Sequence, residues 1–391
     1  MTAVPPSGSA PLETVQLRPG FEIPRLARGN WPIADDHSGR EFDQEAILDD
    51  MFAFAQAGIT AFVCGDIYAG VEARIGEFLG RYRTRFGSDA ARKIKVLTTY
   101  APHFLDEDGL RKHSFGDCER IIDRSLQRLR LERIDLVQMH WWNYEIPGNV
   151  EMALMLKELQ AKGKIDLIGA TNYDVPRMRE MFDAGVDIAT HTVQYSILDR
   201  RPAHGMAALC AERGCQLLCY GVIGGGLISE KWLGLEDPGR PAFENVSLDK
   251  YYRIIGDFGG WTLFQELLRT LGAIAQRHGV SIANVASRYV LDQPLVGAII
   301  VGARNVRHLR GNLDVFSFSL DAADYAAMDA VLSKTAGPSG DCYEIDRAEN
   351  RDALEEVKTR YFDVEDGCLV EKTRPPVVLA EPYAPYAALK K

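Results

Sequence analysis

The sequence has no excess of positive charge, no apolar run long enough to cross a membrane, and no paired-cysteine spacing. Each absence removes a class of function. Its 391 residues carry 45 Lys and Arg against 55 Asp and Glu, a net charge of −10, and the pI is about 5.4. There is no basic footprint for nucleic acid or for an anionic membrane surface, and an anionic ligand would need a local positive site. The least polar long stretch, CQLLCYGVIGGGLIS (215–229), is interrupted by Gln216 and three consecutive glycines, so no membrane span is expected. Seven cysteines, odd in number and without CxxC spacing, describe neither a disulfide framework nor a zinc site. They read as free thiols in a reducing cytosol. The eight histidines include no HxH or HExxH, so no metal is expected. The opening, MTAVPPSGSAPLETVQ, lacks a basic and an apolar region, so no secretory signal is expected and the protein reads as cytoplasmic.

What the sequence does have is alternation. Short apolar or β-branched runs are followed repeatedly by segments of helical period. The candidate strands are 23–32, 58–63, 93–99, 133–140, 164–172, 187–194, 215–221 and 297–303. Amphipathic stretches at 42–58, 117–131, 152–164 and 204–214 lie between them, several ending in Gly, a common helix stop. Strands alternating with helices mean parallel βαβ units, and eight of them predict a closed (β/α)8 TIM barrel. The rival, a doubly wound open sheet, should carry GxGxxG in its first βα turn, and none is there. The alternation lapses at 226–260, which reads as a long loop after strand seven. Residues 1–20 read as a flexible leader and 21–335 as the barrel. Residues 336–391, polar and then proline-rich, read as a C-terminal tail that straps the barrel without a function of its own.

In such a barrel the active site lies at the C-terminal ends of the strands. Those ends carry Asn30 and Trp31, then Val63, Cys64, Asp66 and Tyr68, then Thr98, Thr99 and Tyr100, then His140, Trp141 and Trp142. Thr171 and Asn172, Gln194, Tyr220 and Gly221, and Arg304 follow. Trp31, Val63, Thr99, Trp141 and Trp142 would line a substrate pocket, with aromatic walls suited to a planar molecule. Tyr68 and His140 supply proton donors. Thr171, Asn172 and Gln194 together can hold a carboxamide. Arg304, just ahead of a helix start at Asn305, can take a phosphate.

These motifs, in this order, resemble the aldo-keto reductases, NADP(H)-binding (β/α)8 barrels. GITAFVCGDIY, SLQRLRLERIDLVQMH, GKIDLIGATN, VQYSILDRR, CYG and VGARNVRHLRGN carry the resemblance from about Phe21 to Leu332, and the His-Trp-Trp run and GDCYEIDR resemble one bacterial and plant branch. The resemblance implies that Tyr68 is the proton-donating tyrosine and His140 the residue that orients the carbonyl. It implies that Thr171, Asn172 and Gln194 hold the nicotinamide carboxamide and that Tyr220 stacks on its ring. Arg304 would meet the 2′-phosphate and Asn312 the adenine. The glutamate usual before that asparagine is Gly311 here, which implies a looser adenine end.

Two members of the family's catalytic tetrad are missing. The aspartate position is Val63 and the lysine position Thr99. Lys95 lies about 13 Å back along its strand and is no substitute. Losing one partner of a buried ion pair costs roughly 3–5 kcal/mol, whereas losing both for uncharged residues can be neutral. The pair has gone as a unit. Without the lysine, Tyr68 should stay protonated near the reference value of about 10. It can then donate a proton to a forming alkoxide but serves poorly as a base. The sequence therefore predicts an NADP(H)-dependent reductase of a carbonyl or imine-like group, strongly one-directional, acting on a small molecule. Two alternatives keep the barrel: a dehydratase, isomerase or cyclase using Tyr68 and His140, and a non-catalytic nucleotide-binding redox sensor.

Overall fold

The computed structural model describes residues 12–35, 43–102, 110–141, 143–239 and 246–344, with the backbone of 362–365 and 368–371. The chain enters through an antiparallel hairpin, β1 (Thr14–Arg18) and β2 (Phe21–Pro24), so part of the stretch read as a leader is ordered strand. Eight parallel strands then close a barrel: β3 (Leu26–Gly29), β4 (Ala61–Gly65), β5 (Lys95–Tyr100), β6 (Ile134–Met139), β7 (Ile165–Thr171), β8 (Ile188–Gln194), β9 (Gln216–Tyr220) and β10 (Val296–Gly302). Each falls within one residue of a run marked in the sequence or overlaps it, and the expected (β/α)8 barrel is the fold. β10 pairs with both β3 and β9, which closes the ring.

The strand period of two splits the core in two. Ala61, Val63, Leu97, Leu136, Leu218, Ala298 and Ile300 form one cluster inside the barrel. Their neighbours Phe62, Cys64, Val96, Val137, Met139 and Ile168 pack outward against the helices. Helix Val71–Phe86 meets them with Val71, Ile75, Phe78, Leu79 and Tyr82, spaced three or four apart, and stops at Gly87 with φ 86°. Each such fully buried side chain contributes roughly 1.5–3 kcal/mol.

One end of the barrel is plugged. Leu17, Phe21 and Ile23 of the hairpin join the interior cluster. Arg18 is paired with Asp187 and reaches the Gly214 carbonyl at 2.9 Å, both where strands begin. Lys95 sits at this end too, 2.9 Å from Asp135 and over the Phe21 ring. The opposite end, where the strands finish, is left for chemistry.

Two further segments reach that open end. The long segment after β9 is there, but its second half is a helix, Val246–Phe258, rather than irregular chain. Tyr251, Ile254, Ile255 and Phe258 bury one side of it. The tail returns as well: Asp341 Oδ2 accepts the N–H of Val175, the first residue of helix Val175–Asp183, at 2.8 Å. Cys342 beside it is buried. Farther on, β11 (Phe362–Glu365) pairs with β12 (Cys368–Glu371). Among the described residues, no helix is long and apolar enough to cross a membrane.

Candidate active site at the strand ends

β4 ends at Gly65 and the chain turns at once. The Tyr68 N–H donates to Gly65 O, and the Val71 N–H to Tyr68 O, both at 3.0 Å. The phenol lies on the strand end: a Cβ at position 65 would stand 3.2 Å from Tyr68 Cζ. Trp31 meets the Tyr68 ring edge-on, centroids 4.6 Å apart. TAFVCGDIY therefore ends apolar because Val63 faces the barrel interior and Cys64 the helices, and Gly65 makes room for the ring.

His140 follows β6. Its N–H donates to Tyr100 O at 2.9 Å, and its Nδ1 lies 3.3 Å from Thr171 O. A carbonyl only accepts, so Nδ1 carries the proton. The neutral ring then offers an Nε2 lone pair, and only the imidazolium offers an Nε2–H.

The three carboxamide candidates lie on neighbouring strands. Thr171 Oγ1 donates to Thr192 O at 3.1 Å. Asn172 has a left-handed backbone, φ 62°, which asparagine tolerates better than most residues. Its Oδ1 accepts the Tyr220 hydroxyl at 2.8 Å. Gln194 Nε2 donates to Asp199 Oδ2 at 2.6 Å, and Arg201 holds that carboxylate through Nε at 2.9 Å and Nη2 at 2.6 Å. Gln194 Oε1 is buried with no hydrogen-bond partner. Such an orphan costs about 1–3 kcal/mol, and a ligand N–H aimed at it recovers that.

Val63 and Thr99 are diagonal neighbours: Val63 lies opposite Leu97 and Gly65 opposite Thr99. Val63 is 8% exposed and Thr99 half-buried, so neither site brings charge to the interior. Asp66 does not replace the aspartate. It is buried behind the strand end beside Glu72, which also takes the Thr98 hydroxyl at 2.7 Å. Burial, then the nearby Asp66 charge, pushes the Glu72 carboxyl up to about 7, against the Thr98 hydroxyl and Arg128, 3.7 Å away. Cys64 is fully buried, and burial pushes its thiol well up, which suits a filler and not a nucleophile.

One expectation is overturned. Trp141 does not line the pocket: it is 1% exposed, packs in the outer core, and donates its indole N–H to the carbonyls of Asn143 and Ile146, both at 2.8 Å. Strand alternation is the reason, since His140 faces in and its neighbour must face out. Trp142 lies outside the described residues. Arg304 is half-exposed after β10, and Asn305 Oδ1 caps the following turn by accepting the Arg307 N–H at 3.0 Å. Asn312 is half-buried on helix Leu309–Leu313, and a Cβ on Gly311 would meet nothing within 4 Å.

Two residues at the site had no role in the sequence reading. Tyr343, in the docked tail, meets the His140 ring edge-on with centroids 6.1 Å apart. Lys250, on helix Val246–Phe258, holds its Nζ 5.1 Å from the Tyr220 ring centre, 5.0 Å from that of Tyr251 and 6.0 Å from that of Tyr343. GDCYEIDR was visible as a motif, and Asp249–Arg253, an i,i+4 ion pair 3.5 Å apart, was a readable sign of helix there.

The geometry has counterparts among known proteins. The model of the aldo/keto reductase family matches residues 25–333. The chain is 25% identical to the aldo-keto reductase YhdN of Bacillus subtilis, over 81% of this chain and 92% of that one. It is 26% identical to the NADH-specific methylglyoxal reductase of Escherichia coli, over 78% of this chain and 94% of that one. The crystal structure of the thermostable aldo-keto reductase Tm1743, 25% identical, superposes with a TM-score of 0.62 over 83% of this chain and 99% of that one. The glycerol dehydrogenase of Gluconobacter oxydans, at 22% identity, shares the fold with a TM-score of 0.67 over 82% of this chain and 95% of its own. With its eight-stranded barrel, its strand-end polar set and a family match across most of its length, this chain belongs to the aldo/keto reductase family of oxidoreductases.

Proposed function

We propose that the protein is an NADP(H)-dependent reductase of a carbonyl or imine-like group, working without the family's buried Asp–Lys pair. The observation that carries the cofactor is Gln194 Oε1, a buried acceptor without a donor. Thr171, Asn172 and Gln194 would hold the carboxamide, and Tyr220 would stack on the nicotinamide. Arg304 and the Asn305-capped turn would meet the 2′-phosphate, with Asn312 at the adenine. Arg304 is what favours the phosphorylated cofactor, since a relative is specific for NADH. When bound, the reduced nicotinamide supplies a hydride to the substrate carbon.

The chain's own work is then proton delivery. Tyr68 gives its hydroxyl proton to the substrate oxygen or nitrogen. His140 orients that atom, and its Thr171 bond means that it does so as a donor only when charged. No cation at position 99 stabilises a tyrosinate, so Tyr68 takes back a proton from solvent after each turnover and serves poorly as the base that the reverse oxidation needs. Trp31 and the interior faces of Val63 and Thr99 shape the pocket.

Titration of the purified chain with NADPH and NADP⁺, followed by nucleotide fluorescence, tests this reading. Micromolar binding of the phosphorylated cofactor is expected. No binding at millimolar nucleotide removes it. Equal rates of oxidation and reduction of one substrate pair would remove the one-directional mechanism.

A further inference from the structure

Arg28 is the last residue of β3 to face the outer core, and its guanidinium is fully buried behind the turn that follows β10. We propose that Arg28 is a positioning residue for the nucleotide: it fixes the Ala303–Arg304 peptide, so that the Arg304 N–H and the Arg304 side chain meet the 2′-phosphate together. This deepens the NADP(H) reading and rests on it for the ligand.

The cation is out of place as a core residue. It is 0% exposed, with its Cζ 5.2 Å from the Phe54 ring centre and 5.8 Å from that of Phe62. Among the described residues no carboxylate bonds to it; Asp50, on helix Gln44–Gln56, is the acid whose charge acts on it. Burial pulls its pKa down to about 10, against the Asp50 charge, so it stays charged at neutral pH. Its Nε is buried without an acceptor. A methionine would fill much the same space without that desolvation cost, so stability alone does not account for an arginine here.

What the guanidinium does hold is two strand ends. Nη1 donates to Asn30 Oδ1, and Nη2 donates to the Ala303 carbonyl at 3.3 Å. Asn30 in turn gives its Nδ2 hydrogen to Val63 O at 2.9 Å. The Ala303 N–H donates to Gly29 O at 3.1 Å, so residue 303 is gripped on both sides. The peptide that follows is trans, and in a trans peptide the C=O and the next N–H point in opposite directions. A carbonyl turned in to Arg28 therefore turns the Arg304 N–H out. Among the described residues nothing accepts that N–H.

The same arrangement places a charge behind the donor. By standard bond lengths the Arg304 nitrogen is no more than about 6 Å from Arg28 Nη2. An anion bonded there feels the buried cation through protein, which screens less than water does. Asp50, which the Val306 N–H faces from the same turn, tempers that field. A phosphate monoester, doubly charged near neutral pH, suits a site with a backbone N–H, a half-exposed guanidinium and a buried one behind them.

The test titrates the full chain with NADPH and with NADH, which differ only in the 2′-phosphate. The wild type should prefer NADPH by about tenfold or more. Arg28→Met should lower NADPH affinity about tenfold and NADH affinity less than about threefold, so that the preference collapses. A residue that served packing alone would weaken both nucleotides alike. Hydrogen exchange on the wild type keeps the test independent of how the variant folds: NADPH should slow exchange of the Arg304 amide, and NADH should not. A preference that survives Arg28→Met, equal weakening of both nucleotides, or an Arg304 amide that NADPH protects no better than NADH overturns the inference and leaves the cofactor reading standing. Equal binding of the two nucleotides by the wild type overturns it as well, and leaves a nicotinamide cofactor without a 2′-phosphate contact. Binding of neither nucleotide removes the inference and the cofactor reading together.

Discussion

Gln194 donates its amide N–H to Asp199 at 2.6 Å, and this single bond decides which atom it leaves for a ligand. A carboxylate can only accept, so the amide cannot flip, and Oε1 is fixed as the unpaired end. Asp199→Asn removes that constraint, because the new amide can donate to Gln194 as well as accept from it. NADPH binding should weaken about tenfold, the loss of roughly one hydrogen bond. Asp199→Ala goes further and removes the carboxylate to which the buried Arg201 guanidinium, 1% exposed, is bonded. It should cost about 3–5 kcal/mol in denaturant unfolding. Wild-type NADPH affinity in Asp199→Asn would mean that Gln194 is positioned by something else.

Glu72 makes stability depend on pH. In the folded chain it holds its proton up to about pH 7, and in the unfolded chain only to about 4.3. The folded state therefore binds the extra proton between those values. Stability from this group is greatest below the unfolded value and falls as pH rises through 7. Glu72→Gln should remove that fall, so the difference in unfolding free energy between variant and wild type grows by on the order of 3 kcal/mol from pH 5 to pH 8. Parallel curves for the two proteins would show that Glu72 ionises normally.

The uncharged diagonal of Val63 and Thr99 can be recharged. Val63→Asp alone places an unpaired carboxylate in the interior cluster and should destabilise by about 3–5 kcal/mol. Adding Thr99→Lys, two residues along on the adjacent strand, should recover most of that loss. The double variant should also oxidise alcohols measurably faster than the parent, because a lysine ammonium favours tyrosinate at Tyr68. Stability that the second substitution does not restore would mean that the two side chains do not meet.

Gly148 and Trp141 are a stability pair. Position 148 has φ 149°, and a Cβ there would come within 2.4 Å of Trp141 Cη2. Gly148→Ala should lower stability by roughly 2–3 kcal/mol, through overpacking and strain together. Its NADPH affinity should be unchanged, which separates the Trp141 core from the site.

The barrel was legible in the sequence because each strand is an apolar run between polar helices, and that signal is local. The placement of Tyr68, His140, Asn172, Gln194 and Tyr220 at the open end was legible because strand ends are. Trp141 was misread through proximity alone: it is one residue from His140, and one residue along a strand means the opposite face. Helix Val246–Phe258 was hidden by the glycines and prolines before it. Asp199 stood in VQYSILDRR without a role, since nothing local says that a carboxylate five residues on turns back to the Gln194 amide. Tyr343 was out of reach for the same reason: it meets His140 across a long stretch of chain.

The tail contact also orders events in time. Asp341, which secures Tyr343 near His140, is translated 39 residues after the last barrel strand ends at Gly302. The strands that carry Gln194 and Asn172 are therefore translated well before the ring that stands beside His140. The aromatic ring beside His140 is thus supplied from outside the strand alternation that builds the barrel.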